Sequence, residues 1–500
     1  LADSTNKFLF LAVLSVLILV GLALPKGFDI SDEGLYVLLA HPLQENNAGI
    51  FNYDLFFKGF YQCTGIHFGI IGLRILRLIS YVVAALAFSF FWKNIVEEKG
   101  LSFKIAMISF LGISAGYGFL PSSLSYNSLS VCLTGLWLAC VSFKTKSPLL
   151  KVLVLGLILG LLVYVKVTTA LLLGLISVSI LIYEDKKSIS SLILLFVPFV
   201  VLELAFFLFL DTFSTLRMIQ GLEFTVSRPD YGFLILVKHT FFGFFWCFLV
   251  FLSTLILKKI SPNPRINLGI TVFILVLIFI QTRITEEWNH IFLLIMPLIF
   301  GVLVHSKLTA LTLSSRKYWV LLLLFLPFIL HFGSNVYWLR LGIHYWIFWC
   351  LAAMIWLDEV YPFAEKYLVY FISFSSLILV LNGLWLSPFA QKSSWKATEK
   401  WEYLPGKSIF LTPQQVFQLK AIKNQMPDES PSTVLAAYRI PGIPYLLGKT
   451  IPISPGFWDK TQLENYFPKG IQESVLLYYP LDELPAGEYG KIILIPDFDE

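Results

Sequence analysis

Apolar residues in this chain run in blocks of roughly 17 to 25, the length a helix needs to cross a bilayer, and not at the spacing of an amphipathic helix. Splitting the blocks at polar punctuation predicts about thirteen spans. They fall near residues 8–25, 69–92, 105–120, 126–143, 151–165, 167–183, 190–210, 233–257, 267–284, 290–304, 318–335, 341–357 and 366–387. The first block lacks a small-residue cleavage signal and reads as a retained span, not as a removable signal peptide. The short blocks at 151–165 and 167–183 meet at Val165-Lys166-Val167 with no turn residues between them. A backbone broken at that depth is expected to stop within protein and line a cavity.

Beyond Ser387-Pro388 the pattern changes. Lys, Asp, Glu, Gln and Pro become frequent and the apolar runs shorten to strand length: Ser408 to Leu411, Thr433 to Tyr438, and Lys491 to Pro496. Pro413 to Asn424 reads as a helix with proline at its start. The fold class that follows is an all-α polytopic membrane protein over residues 1–387, with a small α/β domain at 388–500.

Composition supports that division. At 57% hydrophobic and 14% charged residues, the chain is far more apolar than a soluble domain. A formal charge of +5 is too small to point to nucleic acid, and its basic residues serve topology instead. With the N-terminus cytoplasmic, the inner connections carry Lys93, Lys99 and Lys104; Lys144, Lys146 and Lys151; Lys186 and Lys187; Lys258, Lys259 and Arg265; and Lys307, Arg316 and Lys317. This orientation puts the long first loop, residues 26–68, and everything after Leu386 on the non-cytoplasmic side. Of the five cysteines, only Cys63 lies in a polar loop, so neither a disulfide framework nor a thiolate metal site is expected.

The first loop carries the densest chemistry. Phe28-Asp29-Ile30-Ser31-Asp32-Glu33-Gly34-Leu35-Tyr36 sets three carboxylates just past the first span. Ser31 is expected to cap an interfacial helix from Asp32 through His41, with the acids in its first turn, where the helix dipole favours their ionised forms. Such a carboxylate at the lipid boundary is a candidate base for an incoming hydroxyl; the plainer reading is ordinary capping. Tyr53, Asp54 and Lys58 follow in an aromatic-rich stretch, where Asp54 and Lys58 have the spacing of a helix ion pair.

Cations on the outer side are more informative, because the topology rule disfavours them there. Arg74 and Arg77 open the second span, Lys166 sits at the short-helix junction, and Arg228, Arg283 and Arg340 lie in or beside outer connections. Each is a candidate ligand for an anionic headgroup, with a structural pairing to an acid such as Glu203, Asp230, Glu286 or Glu287 as the alternative. The stretch Gln281 to His290, with Glu286 and Glu287, and the turn at Phe332 to Asn335 are further polar candidates. The former allows a divalent metal without matching a specific ligand pattern.

In order and in motif, the chain resembles the membrane glycosyltransferases of the GT-C fold, in particular the group of the protein O-mannosyltransferases and the lipid A aminoarabinose transferases. The resemblance rests on the acidic pair Asp32-Glu33 after the first span, on Gly72-Leu73-Arg74-Ile75-Leu76-Arg77 at the head of the second, and on Leu157 to Thr169 as a short helix ending in Lys166. It implies a transferase that moves a sugar from a polyprenyl-phosphate carrier to a glycan, lipid or protein acceptor outside the cytoplasmic membrane. On that footing Asp32 and Glu33 are the catalytic candidates, and Lys58, Arg74, Arg77, Lys166, Arg228 and Arg340 the donor-phosphate ligands. Tyr53, Asp54, Asn127, Glu286, Glu287 and Asn335 would contact sugar or acceptor; no cofactor is firmly required, and a divalent metal stays open. Where many relatives carry a further aspartate, this chain has Ser125-Tyr126-Asn127. The rival from another class is a lipid-linked oligosaccharide flippase or other polytopic transporter, and a third is a non-catalytic assembly or sensor subunit. Transporters tend to show internal repeats and midplane ionisable groups, and neither pattern stands out here.

Overall fold

The apolar blocks fold as helices in a computed structural model that describes residues 2–97, 100–145, 147–184, 189–260, 263–283, 288–313, 316–360, 362–427 and 431–498. The helices of the first half are α1 (Ala2–Ala23), α2 (Asp32–Leu39), α3 (Asp54–Thr64), α4 (Gly69–Val96), α5 (Phe103–Ser114), α6 (Tyr126–Ser142), α7 (Pro148–Val165), α8 (Val167–Glu184) and α9 (Ile189–Leu210). There follow α10 (Ser214–Val226), α11 (Phe233–Ile260), α12 (Pro264–Arg283), α13 (Ile291–Leu313), α14 (Lys317–His331), α15 (Trp338–Leu341), α16 (Trp346–Val360) and α17 (Glu365–Leu381). Among the described residues, eight helices are long and apolar enough to cross a membrane, and five further apolar helices have 10 to 17 residues. That is the build of an integral membrane protein. Its flanks support this: Leu208 and Leu234 are 76% and 80% exposed, a cost that water would impose and lipid would not.

Helix α4 packs between α5 and α6, α7 joins α6 to α9, and α1 lies against α5 and α17. In the other half, α11 and α13 pack together and α16 is enclosed by α13, α14 and α17. The α7–α8 break falls at Lys166, whose backbone is extended. As expected the break stops within protein, and it is closed by protein groups where a cavity is expected: buried Lys166 donates to the carbonyl of Leu330, and the carbonyl of Tyr164 accepts from the amide of Asn52 in the first loop (2.8 Å). A charge at a helix break needs such partners in an apolar setting.

The C-terminal region begins with the antiparallel pair β1 (Glu399–Leu404) and β2 (Lys407–Leu411). Helix α18 (Pro413–Gln425) starts on a reciprocal capping box between Thr412 and Gln415, as its proline start suggested. Strands β3 (Leu435–Ala437), β4 (Ile471–Tyr478) and β5 (Gly487–Leu494) form a parallel sheet in the order β3-β4-β5, with α19 (Gly442–Leu446) and α20 (Lys460–Tyr466) between β3 and β4. The expected strands fall on β2, β3 and β5; β1 and β4 were not anticipated.

This region shares its core with the first loop. Val37 and Leu38 of α2, with Ile70 and Leu73 of α4, are buried in one cluster with Ile409, Leu435, Ile443 and Leu476. The chain leaving α1 extends the β2 edge, with Gly27 N–H donating to the Phe410 carbonyl (2.9 Å) and Phe410 N–H to the Pro25 carbonyl (2.8 Å). Helix α2 thus does not lie open along a surface, since its Val37 and Leu38 are enclosed by protein. It is a buried wedge between the helical bundle and the C-terminal region. Two glycines permit the approach: a methyl on Gly34 would stand 2.6 Å from Gly442 Cα, inside any real carbon contact.

Candidate active site

The first turn of α2 is built by Asp29. The Ser31 side chain makes no capping bond; instead Asp29 Oδ1 accepts from Ser31 N–H (2.9 Å) and Oγ (2.8 Å), and Oδ2 accepts from Glu33 N–H (2.9 Å). A carboxylate taking amides at a helix start satisfies otherwise orphaned donors, so Asp29, not Ser31, fixes the helix that presents Asp32. The helix ends at Leu39, short of His41.

Successive residues on a helix point about 100° apart, and this separates the two acids of the motif. Asp32, Leu35, Tyr36 and Leu39 share one face and line a cavity of about 280 Å³. Glu33 points the other way and is fully buried. Arg74 grips it with two parallel bonds, Nε to Oε1 and Nη2 to Oε2, both 2.8 Å, and Ser123 Oγ donates to the same carboxylate. The remaining Arg74 donors reach the carbonyls of Leu24 (2.7 Å), Lys26 (3.0 Å) and Gly27 (2.8 Å). Glu33 and Arg74 therefore clamp the exit of α1 to α4, and the expectation of a catalytic Glu33 and a phosphate-binding Arg74 is corrected. Arg77 is corrected likewise: its Nη2 donates to Tyr81 Oη (2.8 Å) and the Gly116 carbonyl (2.9 Å), its Nη1 to the Pro121 carbonyl, and its guanidinium lies 4.2 Å from the centre of the Tyr117 ring. Arginines at the head of a span need this density of acceptors when they turn inward.

The acids and cations farther along divide in the same way. Asp54 is buried, holding Lys58 (2.9 Å) and Arg217 (3.0 and 2.8 Å), so the pair predicted by spacing forms and acquires a third member. Glu203 accepts from Tyr164 Oη (2.6 Å), from Thr215 N–H (3.2 Å) and Oγ1 (3.0 Å), and from Ser214. These contacts pin α10 at its start and at Arg217. Tyr53 is buried beside this network, and Asn127 turns away to accept from Tyr345 Oη (3.0 Å); neither lines the cavity. Arg340 stacks its guanidinium 5.1 Å from the Phe119 ring centre, also off the cavity wall. Glu286 and Glu287 lie outside the described residues.

What reaches the cavity comes from three parts of the chain. The bundle contributes Tyr126, Arg228, Asp230, Tyr231 and Asn335; the first loop adds Asn46; the C-terminal region adds Arg439, Trp458, Gln462 and Tyr466. Tyr126 is held flat against Phe51 (ring centres 4.5 Å apart), with Lys166 Nζ 5.7 Å from its ring centre. Thus Lys166 backs a wall residue without itself entering. Arg228, at the end of α10, gives its Nε to Asp459 Oδ2 (2.6 Å), while Asp459 Oδ1 caps α20 (2.8 Å to Gln462 N–H). That bridge ties the cavity's cation to both halves. Of the expected site residues, Asp32, Arg228 and Asn335 meet at one cavity.

Burial raises the Asp32 carboxyl above the usual carboxylate range, and the nearby charge of Arg439 pulls it part of the way back. Burial raises Asp29 as well, with the Asp32 charge adding to the rise and its hydrogen bonds from Ser31 and Glu33 opposing it. The sign is what a base needs: a carboxylate with a raised proton affinity takes a hydroxyl proton more readily than a solvated one.

No family model matches this chain, and no curated protein matches it. The site's own chemistry therefore carries the reading. It unites a carboxylate of raised proton affinity, two arginines and several aromatic hydroxyls and rings, the set that suits a polar, anionic, ring-bearing ligand. Among the described residues no group of three His, Cys, Asp or Glu side chains gathers as a metal centre would require; the cavity's carboxylates are Asp32 and Asp230.

Arg439 escaped sequence reasoning altogether. It sits in a C-terminal region whose role was undefined, and nothing local marks it. Its backbone is in the left-handed region (φ +59°), which costs a non-glycine residue about 1–2 kcal/mol, and its N–H is held by the Phe457 carbonyl (2.9 Å).

Proposed function

We propose that this protein is a membrane glycosyltransferase of the GT-C type, moving a sugar from a polyprenyl-phosphate carrier to an acceptor on the non-cytoplasmic side of the membrane. The observation that carries the reading is the meeting of Asp32 and Arg228 on one cavity at the junction of an apolar bundle with a polar domain. A lipid-borne donor has to present its headgroup at such a junction, its chain remaining in the bundle's apolar surroundings.

In this reading Asp32 takes the proton of the acceptor hydroxyl as that oxygen attacks the anomeric carbon. The carbon–oxygen bond to phosphate breaks, and the lipid phosphate leaves with the bonding electrons. Phosphate is a good leaving group, so its departure calls for a cation more than for an acid; Arg228 is held near enough to serve. Tyr36, Tyr126 and Asn335 offer neutral polar groups along the same walls for the sugar hydroxyls.

The test is transfer itself. Purified full-length protein is incubated with radiolabelled polyprenyl-phosphate sugars and acceptor extracts, and label leaving the lipid is counted. The wild type should release label from at least one donor and Asp32→Asn should not, while remaining folded. Near-normal turnover by Asp32→Asn would remove Asp32 from the chemistry, and no release from any donor would favour a transporter.

A further inference from the structure

The cavity's two arginines are engaged differently. Arg228 spends its Nε on Asp459 and so serves partly as a strut. Arg439 lines the same cavity as Asp32 from the C-terminal region, near enough for its charge to act on that carboxyl, yet its guanidinium makes no ion pair or side-chain hydrogen bond with the described residues. Arg74, Arg77 and Arg217 are all saturated or ion-paired by protein groups. An arginine left unengaged beside a carboxylate, on a backbone held in an unfavourable conformation, is a site feature that packing does not explain.

Its position is also rigidly referred to Asp32. The Arg439 amide is bound to Phe457, the next residue Ile440 is fully buried, and Gly442 N–H donates to the carbonyl of Ile30 (2.7 Å), two residues before Asp32. The base and the arginine are thus parts of one packed unit although they lie at opposite ends of the chain.

We infer that Arg439 is a substrate-phosphate ligand supplied by the C-terminal region, gripping the phosphate jointly with Arg228. The inference rests on the transferase reading for the identity of the phosphate, and the charge movement of that reaction explains the placement. Asp32 is negative before transfer and neutral once it has accepted the hydroxyl proton. The negative charge reappears on the departing phosphate. A cation on the same small cavity as the carboxylate offsets the charge at both ends of that movement and needs no reorganisation between them.

Binding of two probes to the full-length protein in detergent separates the possibilities: a polyprenyl monophosphate and inorganic phosphate. Arg439→Ala should weaken binding of polyprenyl monophosphate at least tenfold and Arg439→Lys by less, while Lys491→Ala, on exposed β5, should bind as the wild type does. Because Arg439 is exposed, the thermal midpoint of its variants should stay at the wild-type value. If the wild type binds only inorganic phosphate and Arg439→Ala loses it, the anion ligand stands and the lipid-donor reading falls. If polyprenyl monophosphate binds equally to wild type and Arg439→Ala, the reading stands and the inference is overturned. Binding of neither probe to the wild type would overturn both.

Discussion

Asp32 and Glu33 are adjacent acids whose replacement should have opposite consequences. Glu33→Gln keeps the shape of the side chain and an acceptor for Ser123, but it puts a neutral amide against Arg74, which now has no counter-charge in a site where Arg74 is 1% exposed and Glu33 fully buried. Removing one partner of a buried pair costs roughly 3–5 kcal/mol; the backbone carbonyls retained by Arg74, those of Ala23, Leu24, Lys26 and Gly27, favour the lower end, about 3 kcal/mol. With an unfolding entropy of about 2.1 cal/mol/K per residue, a 500-residue chain should lose roughly 3 °C of thermal midpoint, readable by scanning fluorimetry in detergent. Asp32→Asn lines a cavity and ends no ion pair, so its midpoint should stay within about 1 °C of wild type, while transfer falls roughly a hundredfold to ten-thousandfold for loss of a general base. A Glu33→Gln variant as inactive as Asp32→Asn but with an unchanged midpoint would refute the division of roles.

Other expectations follow from the same contacts. Transfer should decline on acidification well before an ordinary carboxylate, of pKa about 3.9, becomes protonated, because burial raises Asp32; among Asp29, Asp230, Arg228 and Arg439 around it, Arg439 is the charge that opposes the rise. Arg439→Gln should therefore move the acid limb of a pH–rate profile to still higher pH, and an unmoved limb would separate the two residues. Gly34→Ala should undock α2 from Gly442, costing about 1–3 kcal/mol for overpacking and exposing the C-terminal region to limited proteolysis; a protease-resistant Gly34→Ala protein would contradict the close approach. His41 and His67, packed edge to face at 4.7 Å, are lowered to about 4 and about 3 by burial, with Lys407 near both. Their depressed folded values mean that the unfolded chain takes up protons first. Stability should thus be lost as pH falls below about 6.5, and His41→Gln/His67→Gln should flatten the midpoint's pH dependence between 7 and 5.

The pairings show where sequence reasoning stops. Asp54 and Lys58 were predictable because four residues along a helix is a fixed distance, but Arg217, which completes that group, is brought by α10 from another part of the bundle. The acidic pair was visible as a motif, yet which acid faces the cavity depends on where α2 is wedged, and that is set by Gly34 against Gly442. Arg74 and Arg77 looked like outer cations awaiting a phosphate. In a folded bundle they are the residues best able to bind loose carbonyls at helix ends, and they do so. The α7–α8 break is legible as a break within protein, but that Lys166 closes it with a carbonyl partner on α14 depends on packing.

By itself the sequence determined the apolar helices, the change to a polar strand-bearing region after Ser387 and the carboxylate-rich turn after the first span. These depend on hydrophobic run length and on neighbours within a few residues, which a linear pattern records. Only the tertiary structure decided that Asp29 builds the turn, that Glu33 is sealed and Asp32 open, and that Arg439 from the far end of the chain completes the cavity. Those outcomes depend on which buried charges find partners once distant segments pack. The cost of leaving a charge unpaired is set by that packing, not by position in the chain.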